Sequence, residues 1–368
     1  MNVSIAGVAW ILAGAFLATQ TLNYSCAAAE DRAQNPEASL LLLKNDRIEV
    51  GVLSRAGGRV VLLRKPGGAN ILLSDPKKWA AAEKAAPPAA TSEYVDYNGH
   101  EIWVGPQEDF WTQQSVNPQR AKSKANWPPD PWLNAGNYEI VEQSPHAVVL
   151  RGPPSPICGL QLTKDVKIQD DGTVALKTTA VNIRNEAVSW DLWSLTRLPG
   201  RAAAYATFKK WQTSRIEFVT MDLAQSDVVP HLMRDGVFAF DAHAVIPHGK
   251  TNLLAKAFLN PTHPWIAAFN AGSCLVKTMA AIPVEKIHSS HAAVEIYVSL
   301  LAPPEGKLPL VEPPGLLELE FHSEYRKLAP GESMSMEESW KIIPYDGPDT
   351  ADGQIDFLKT QGILKSPE

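Results

Sequence analysis

From residue 39 onward the apolar residues fall in short runs, many alternating with polar residues, and turn-forming residues break each run. Successive side chains of a strand point to opposite faces, so this alternation fits a sheet with one face in a core. It does not fit a helix, where apolar residues recur every three or four positions. Residues 40–43, 48–52, 59–63, 138–141, 147–151, 164–169, 174–179, 190–195, 265–269, 274–279, 294–299 and 316–321 read as strands. Asp170-Asp171-Gly172 lies between two of them and is a hairpin signal. One helix is predicted over 75–84, with Asp75 as cap, Pro76 in the first turn and an alanine-rich body. A second short one covers 351–360, and 85–90, with Pro87-Pro88, reads as a loop. No fixed-period repeat is visible, which argues against propellers and solenoids. The expected fold is all-β: a large antiparallel β sandwich with few short helices. Residues 35–345 form one domain in this reading, and 346–368 a C-terminal tail with its short helix.

The N-terminus reads differently. An apolar stretch runs from Ile5 to Ala18, the first charged side chain is Glu30, and Ala27-Ala28-Ala29 offers a cleavage site. Gln20, Thr21, Asn23, Tyr24 and Ser25 cut the apolar run below the roughly 18 residues a membrane span needs. Residues 1–29 are therefore expected to be a signal peptide, with the protein periplasmic or secreted and no stable membrane span after cleavage. Asn23-Tyr24-Ser25 before Cys26 is a poor lipidation box, so a lipid anchor is not expected.

Composition excludes several function classes. With 34 basic and 40 acidic residues the net charge is −6, which gives no electrostatic reason for nucleic acid as a partner. The basic clusters are pairs such as Lys77-Lys78 and Lys209-Lys210. Beyond the leader two cysteines remain, Cys158 and Cys274, with no Cys-x-x-Cys and no zinc spacing. Whether they pair is open. No phosphate-cradling loop, dinucleotide glycine triplet, His-Glu-x-x-His or Gly-x-Ser-x-Gly elbow occurs, so no cofactor is expected. His243 with His248, and His288 with His291, have spacings that arise often by chance, and no metal site is expected from them.

Two segments carry candidate chemistry. The first runs from Asn98 to Trp111 and contains His100, Glu101, Trp103 and Gln107. With Trp127 and Trp132 it places four tryptophans in thirty residues. Read as loops, these residues either present aromatic faces and polar groups to a sugar ring or pin a long connection onto the sandwich. The second is Leu317-Glu318-Leu319-Glu320-Phe321-His322. On a strand Leu317, Leu319 and Phe321 enter the core while Glu318, Glu320 and His322 share the other face. Two carboxylates and an imidazole together suit proton transfer, because neighbouring like charges raise one carboxyl pKa. The alternative is a solvated strand face. Glu295, in an otherwise apolar strand, needs a partner, for which Lys277 and Arg197 are candidates.

These residues suggest a family. Ala56-Gly57-Gly58-Arg59-Val60-Val61 followed by Gly68-Ala69-Asn70-Ile71-Leu72 resembles the first hairpin of galactose mutarotase-like proteins. Gly99-His100-Glu101-Ile102-Trp103 with Pro106-Gln107 resembles the next block of an uncharacterised branch of that superfamily. Residues 182–200, with Asn185, Trp190 and Trp193, sit where its middle strands lie. The ending Glu318-Leu319-Glu320-Phe321-His322-Ser323, then Leu328-Ala329-Pro330-Gly331-Glu332-Ser333 and Trp340, is similar as well. The resemblance implies a β supersandwich with a carbohydrate ligand on its concave face, acting on the anomeric carbon by acid–base catalysis. It implies Glu318 or Glu320 as base, His100 as acid and Arg197 as a group for a sugar hydroxyl or carboxylate; Glu101, Trp103, Gln107, Trp111 and Glu295, singled out above from the residues themselves, complete the expected substrate-binding set. Ser194-Leu195-Thr196-Arg197 departs from the active enzymes, which carry a histidine there; a carbohydrate-binding protein without catalysis is the alternative.

Overall fold

The computed structural model describes residues 36–207, 214–220, 231–234, 236–240, 252–301 and 315–364. The expected signal peptide, Cys26, Lys209-Lys210, His243 and His248 lie outside the described residues.

Twenty strands follow in chain order: β1 Leu41–Lys44, β2 Glu49–Leu53, β3 Arg59–Arg64, β4 His100–Gly105, β5 Glu139–Gln143, β6 Ala147–Arg151, β7 Leu160–Ile168, β8 Val174–Asn182, β9 Val188–Pro199 and β10 Ala203–Thr207. Then come β11 Arg215–Thr220, β12 His231–Arg234, β13 Val237–Phe240, β14 Asn252–Leu259, β15 Trp265–Asn270, β16 Ser273–Met279, β17 Val294–Leu301, β18 Gly315–His322, β19 Arg326–Leu328 and β20 Ser333–Pro344. They form two ten-stranded antiparallel sheets. The first has the order β1-β2-β3-β4-β9-β18-β17-β14-β11, with β19 beside the start of β9; the second is β12-β13-β10-β15-β16-β20-β8-β7-β6-β5. The main core lies between them, where Leu192 and Leu198 of β9 and Leu317, Leu319 and Phe321 of β18 join a cluster with Leu275, Met336 and Trp340 of the second sheet.

The two sheets bury differently, and the difference positions the site. In β7, β8 and β20 buried residues alternate with more exposed ones, as expected of one face in the core and one in water. In β4 all six residues are buried, and in β9 ten of twelve are. The outer face of the first sheet is covered there by the connection after β4. Phe110, Trp111 and Ile157 pack on Trp103, Trp193 and Leu195. Two short helices in that connection, α2 Pro118–Ser123 and α3 Pro131–Ala135, are each capped by a side chain, Asn117 and Asp130. Asp130 also accepts from the Cys158 N–H at 3.1 Å, tying the covering loop to the turn before β7.

The predicted helix over 75–84 is α1, Pro76–Ala82, with the Asp75 carboxylate accepting the Lys77 N–H at 3.0 Å. The last helix, α4 Ala351–Thr360, buries Ile355 and Leu358 against the outer face of the second sheet, and Tyr205 donates to Gln354 at 2.7 Å. Both described cysteines are free and buried. Among the described residues no helix is long and apolar enough to cross a membrane.

One expectation needs correction here. The segment containing His100 to Gly105 is not a loop but the central strand β4. With both faces covered, it shows no alternation of burial for a sequence pattern to reveal.

Candidate active site

Strand register gathers the site. Glu101 of β4 lies opposite Leu195 of β9, Trp103 opposite Trp193, and Gly105 opposite Asp191. On the other side of β9, Arg197 faces Glu318, Leu195 faces Glu320, and Trp193 faces His322. Glu320 pairs in turn with Glu295 of β17, and Tyr297 stands between Glu318 and Lys256 of β14. Because alternate residues share a face, the outer face of five adjacent strands carries four carboxylates besides Glu101, together with an arginine, a lysine and a histidine.

Three linked parts make up this band. At one end Glu101 accepts from Arg59 (2.9 Å), Asn134 (2.6 Å), Tyr94 (3.0 Å) and Arg197. Burial opposes its ionisation, but Arg59 and Arg197 hold the carboxyl well below the usual range. Four donors occupy a group with about four acceptor positions. Glu101 is thus committed internally, and its expected role as a sugar contact gives way to that of an anchor between β4, β9 and the covering loop.

In the middle, Arg197 Nε donates to Glu318 at 2.7 Å. The Glu318 side chain is 13% exposed, whereas Arg197 is at 3%. Burial pushes the Glu318 carboxyl up, against the pull of Arg197 and with the help of Glu320, to about 7. Lys256 bridges Glu295 (2.6 Å) and Glu320 (2.8 Å), and its side chain is 20% exposed. Trp193 Nε1 also donates to Glu320, at 2.6 Å. Above this part Tyr94, Trp103 and Trp127 meet edge to face, with Trp127 46% exposed.

At the far end sit two imidazoles and two carboxylates. His322 Nδ1 is 3.3 Å from Asp191 and its Nε2 is 3.5 Å from Glu295. His291 Nδ1 is 3.2 Å from the other Glu295 oxygen, which also accepts the Ala292 N–H at 2.8 Å. Although burial disfavours the imidazolium, Glu295 and Asp191 raise the His322 pKa to about 9.

Not every expected site residue belongs to this band. His100 points to the inner face, hydrogen-bonded to Thr196 at 2.9 Å and packed edge-on against Trp340. Burial pushes its pKa down to about 3, so the ring is neutral. The pairing of His100 with Glu318 and Glu320 is therefore corrected: Leu317 and Phe321, not the glutamates, share its face. Trp111 is fully buried and donates to Pro128 O at 2.7 Å, and Gln107 donates to Asn126 O at 3.0 Å, both holding the covering loop. Lys277, expected near Glu295, instead lies inside, 3.2 Å from Glu338. Asp191, Lys256, Tyr94 and Tyr297 were missed by sequence reasoning. The lone lysine in the apolar run Asn252–Leu259 was the available signal for Lys256. A groove of about 440 Å³ on the second sheet, with Asp165, Lys177 and Glu337 on its wall, is remote from all of this, and its Lys177–Glu337 pair at 2.7 Å is exposed.

Fold and site together define an antiparallel β-sandwich protein with a buried carboxylate–histidine–arginine band on one covered sheet face. The chain belongs to the family described as a domain of unknown function, DUF4380, whose model matches residues 39–343. No curated protein matches the sequence. Solved structures with a similar course include a candidate aldose 1-epimerase from Escherichia coli K12 (14% identity, TM-score 0.48, 83% of this chain and 99% of that one). A galactose mutarotase related enzyme from Lactobacillus acidophilus is similar at 8% identity and TM-score 0.46, over 83% and 98% of the two chains. A galactose mutarotase-like protein from Lactobacillus casei follows at 10% identity and TM-score 0.43, over 83% and 100%.

Proposed function

We propose that the protein binds a carbohydrate over the Glu318 part of the band and interconverts its anomers by proton transfer through Glu318. The observation that carries this reading is a carboxyl reachable from solvent, with its pKa pushed up to about 7 and its orientation held by Arg197. A group with a pKa near neutrality exchanges protons in both directions without a large penalty either way. In the ring-opening step Glu318 takes the proton of the anomeric hydroxyl, the bond from the anomeric carbon to the ring oxygen breaks, and the ring oxygen takes a proton from water at the partly open edge of the band beside Glu318 and Lys256. Closure on the opposite face reverses these transfers. Lys256, whose two carboxylate partners raise its pKa against the effect of burial, serves as a fixed cation near the charge that develops on the ring oxygen. Trp127 and Tyr94 supply aromatic surface for the apolar face of a sugar.

A second reading, binding without turnover, is favoured by one observation. The imidazoles of the band are buried, with side-chain exposure of 6% for His291 and 0% for His322, so neither of these two histidines stands ready to protonate a ring oxygen. NMR on freshly dissolved single anomers separates the two. Catalysis requires faster interconversion of at least one sugar by the parent protein and its loss in Glu318→Gln with binding by saturation transfer retained. Saturation transfer without acceleration supports the binding reading, and neither signal across a broad panel of neutral and acidic sugars refutes both. We also propose export with removal of residues 1–29, checked by the N-terminal mass of protein recovered from the periplasm or medium.

A further inference from the structure

The far end of the band has a geometry that the proton-transfer reading leaves unused. Glu295 sits behind both imidazoles. One of its oxygens lies 3.2 Å from His291 Nδ1 and the other 3.5 Å from His322 Nε2. His291 is thus held through Nδ1 by Glu295, whereas His322 Nε2 only faces the second Glu295 oxygen and Nδ1 is the His322 nitrogen hydrogen-bonded to Asp191; His291 Nε2 and His322 Nδ1 both lie on the Asp191 side. The two rings are stacked with centroids 4.0 Å apart, which keeps those nitrogens together. Asp191 Oδ2 is 3.3 Å from His322 Nδ1.

The buried atoms of this cluster without a hydrogen-bond partner among the described residues are Glu295 Oε2, Glu320 Oε1, His322 Nε2 and, on the Asp191 side, Asp191 Oδ1 and His291 Nε2. Asp191 is 0% exposed and His291 8%, so water does not freely satisfy them. Buried polar atoms without partners are uncommon, and two adjacent ones call for an explanation. Asp191 Oδ1 and His291 Nε2 border one space. A Cβ added at Gly105 would come within 2.4 Å of Asp191 Oδ1 and 3.0 Å of His291 Nε2, so the absence of a side chain at Gly105 keeps that space clear. The ligand-capable atoms of Asp191, His291 and His322 all lie within 4.8 Å of one another.

The charges agree. Asp191, Glu295 and Glu320 bring three carboxylates, against which only Lys256 is a fixed cation in ion-pairing range among the described residues. A metal ligates only neutral imidazoles and displaces any proton they carry; with both rings in that form the cluster carries two negative charges, which a dication balances. An imidazole whose far nitrogen is held by a carboxylate is the usual arrangement of a metal-bound histidine. Two imidazoles with one carboxylate suit a divalent transition-metal ion, whereas magnesium and calcium prefer oxygen ligands alone.

We infer that Asp191, His291 and His322 form a binding site for a divalent transition-metal ion, with Glu295 as the positioning residue that holds His291 and faces His322. The site does not depend on the carbohydrate reading, since Glu318 is no part of it. Bonds of roughly 2.0–2.2 Å set ligand atoms about 3–3.5 Å apart, close to the present Asp191–His322 spacing.

The test uses the full chain, freed of metal with a chelator and titrated separately with Zn²⁺ and Co²⁺. One equivalent should bind, and the Co²⁺ form should show visible d–d absorption without a thiolate charge-transfer band. In the NMR spectrum Zn²⁺ should shift the ring signals of two of the nine histidines. His291→Gln should abolish stoichiometric uptake, Gly105→Ala should reduce it by obstructing the space, and Glu295→Gln should weaken it roughly 10–100-fold. The inference is overturned if the parent takes up no stoichiometric ion. It is equally overturned by unchanged affinity in folded His291→Gln, or by ring shifts confined to other histidines. The NMR readout on the parent stands even where a variant does not fold.

Discussion

Replacing Glu101 by glutamine tests whether the band is held together as described. The carboxylate is 1% exposed and receives Arg59, Arg197, Asn134 and Tyr94. Glutamine keeps the shape, removes the charge between two buried guanidiniums, and turns an amide N–H₂ toward at least one of the four donors. Breaking a buried pair by removing one partner costs about 3–5 kcal/mol. Arg59 retains Ala56 O, Asn98 O and Asn134 O, and Arg197 retains Glu318, so the lower end, about 3 kcal/mol, is expected. Urea unfolding should show a lower midpoint with an unchanged slope, because the surface exposed on unfolding is the same. Glu318→Gln is the internal control: the carboxylate is more open, at 13% exposure, and Arg197 stays paired to Glu101, so it should cost clearly less than Glu101→Gln. The pH dependence has a definite sign. The Glu101 carboxyl is depressed in the folded protein, so its contribution is complete above the unfolded value of 4.5 and declines as pH falls below it. The gap between parent and Glu101→Gln should therefore narrow in acid. A cost below about 1 kcal/mol, a cost equal to that of Glu318→Gln, or a gap that widens in acid would refute the reasoning.

Three further outcomes follow from the structure. Lys164 is 5% exposed, and burial pushes its pKa from 10.5 down to about 7, so folding is opposed most where the amine is protonated in both states. Lys164→Met should raise the melting temperature below pH 7, with the advantage shrinking as pH rises toward 10.5; a constant or growing advantage counts against this. Gly99 has φ +70°, and a Cβ there would sit 2.3 Å from Val60 O, a backbone atom that cannot swing away. Gly99→Ala should cost at least about 2 kcal/mol in urea unfolding, and a loss within 0.5 kcal/mol would contradict the close approach of β3 and β4. Cys158 and Cys274 are buried, and burial pushes both thiols up, so alkylation with peptide mapping should label neither until denaturant is added.

How much of this was legible in the sequence depends on which faces are covered. Residues 317–322 alternate cleanly, and Leu317, Leu319 and Phe321 do enter the core while Glu318, Glu320 and His322 share the other face. The same rule, applied to His100 and Glu101, would have separated them. A strand buried on both faces gives an undivided run, which reads as a loop and hides the alternation that rule needs. Asp191 was out of reach for a different reason, and Lys256 and His291, though visible as a lone lysine and a paired histidine, gave no sign of their partners. Their partners lie on strands whose adjacency depends on sheet order, and His322, for example, meets Asp191 from 131 residues away. Local pattern fixes which face a residue takes, but only the pairing of β4, β9, β18, β17 and β14 fixes which residues share a site.

That pairing puts two polar clusters back to back across β9, and their bookkeeping separates structure from chemistry. On the inner face Lys277 is bonded to Thr196 and paired with Glu338, and His100 is a neutral ring bonded to Thr196. Its charges cancel and the His100 ring nitrogen has a partner, which leaves the Ser194 hydroxyl as its unmatched group among the described residues. On the outer face the carboxylates outnumber the fixed cations, and Asp191 Oδ1, Glu320 Oε1 and His291 Nε2 are unmatched among the described residues. The covering loop, pinned by Trp111 and by Arg184 (which donates to Gln113 O), buries those groups yet leaves Glu318 and Lys256 partly open at the edge. Desolvation without full pairing raises a carboxyl pKa and leaves donor atoms seeking a ligand. The outer band, and not the inner cluster, is therefore where both a substrate proton and a metal ion would find what they require.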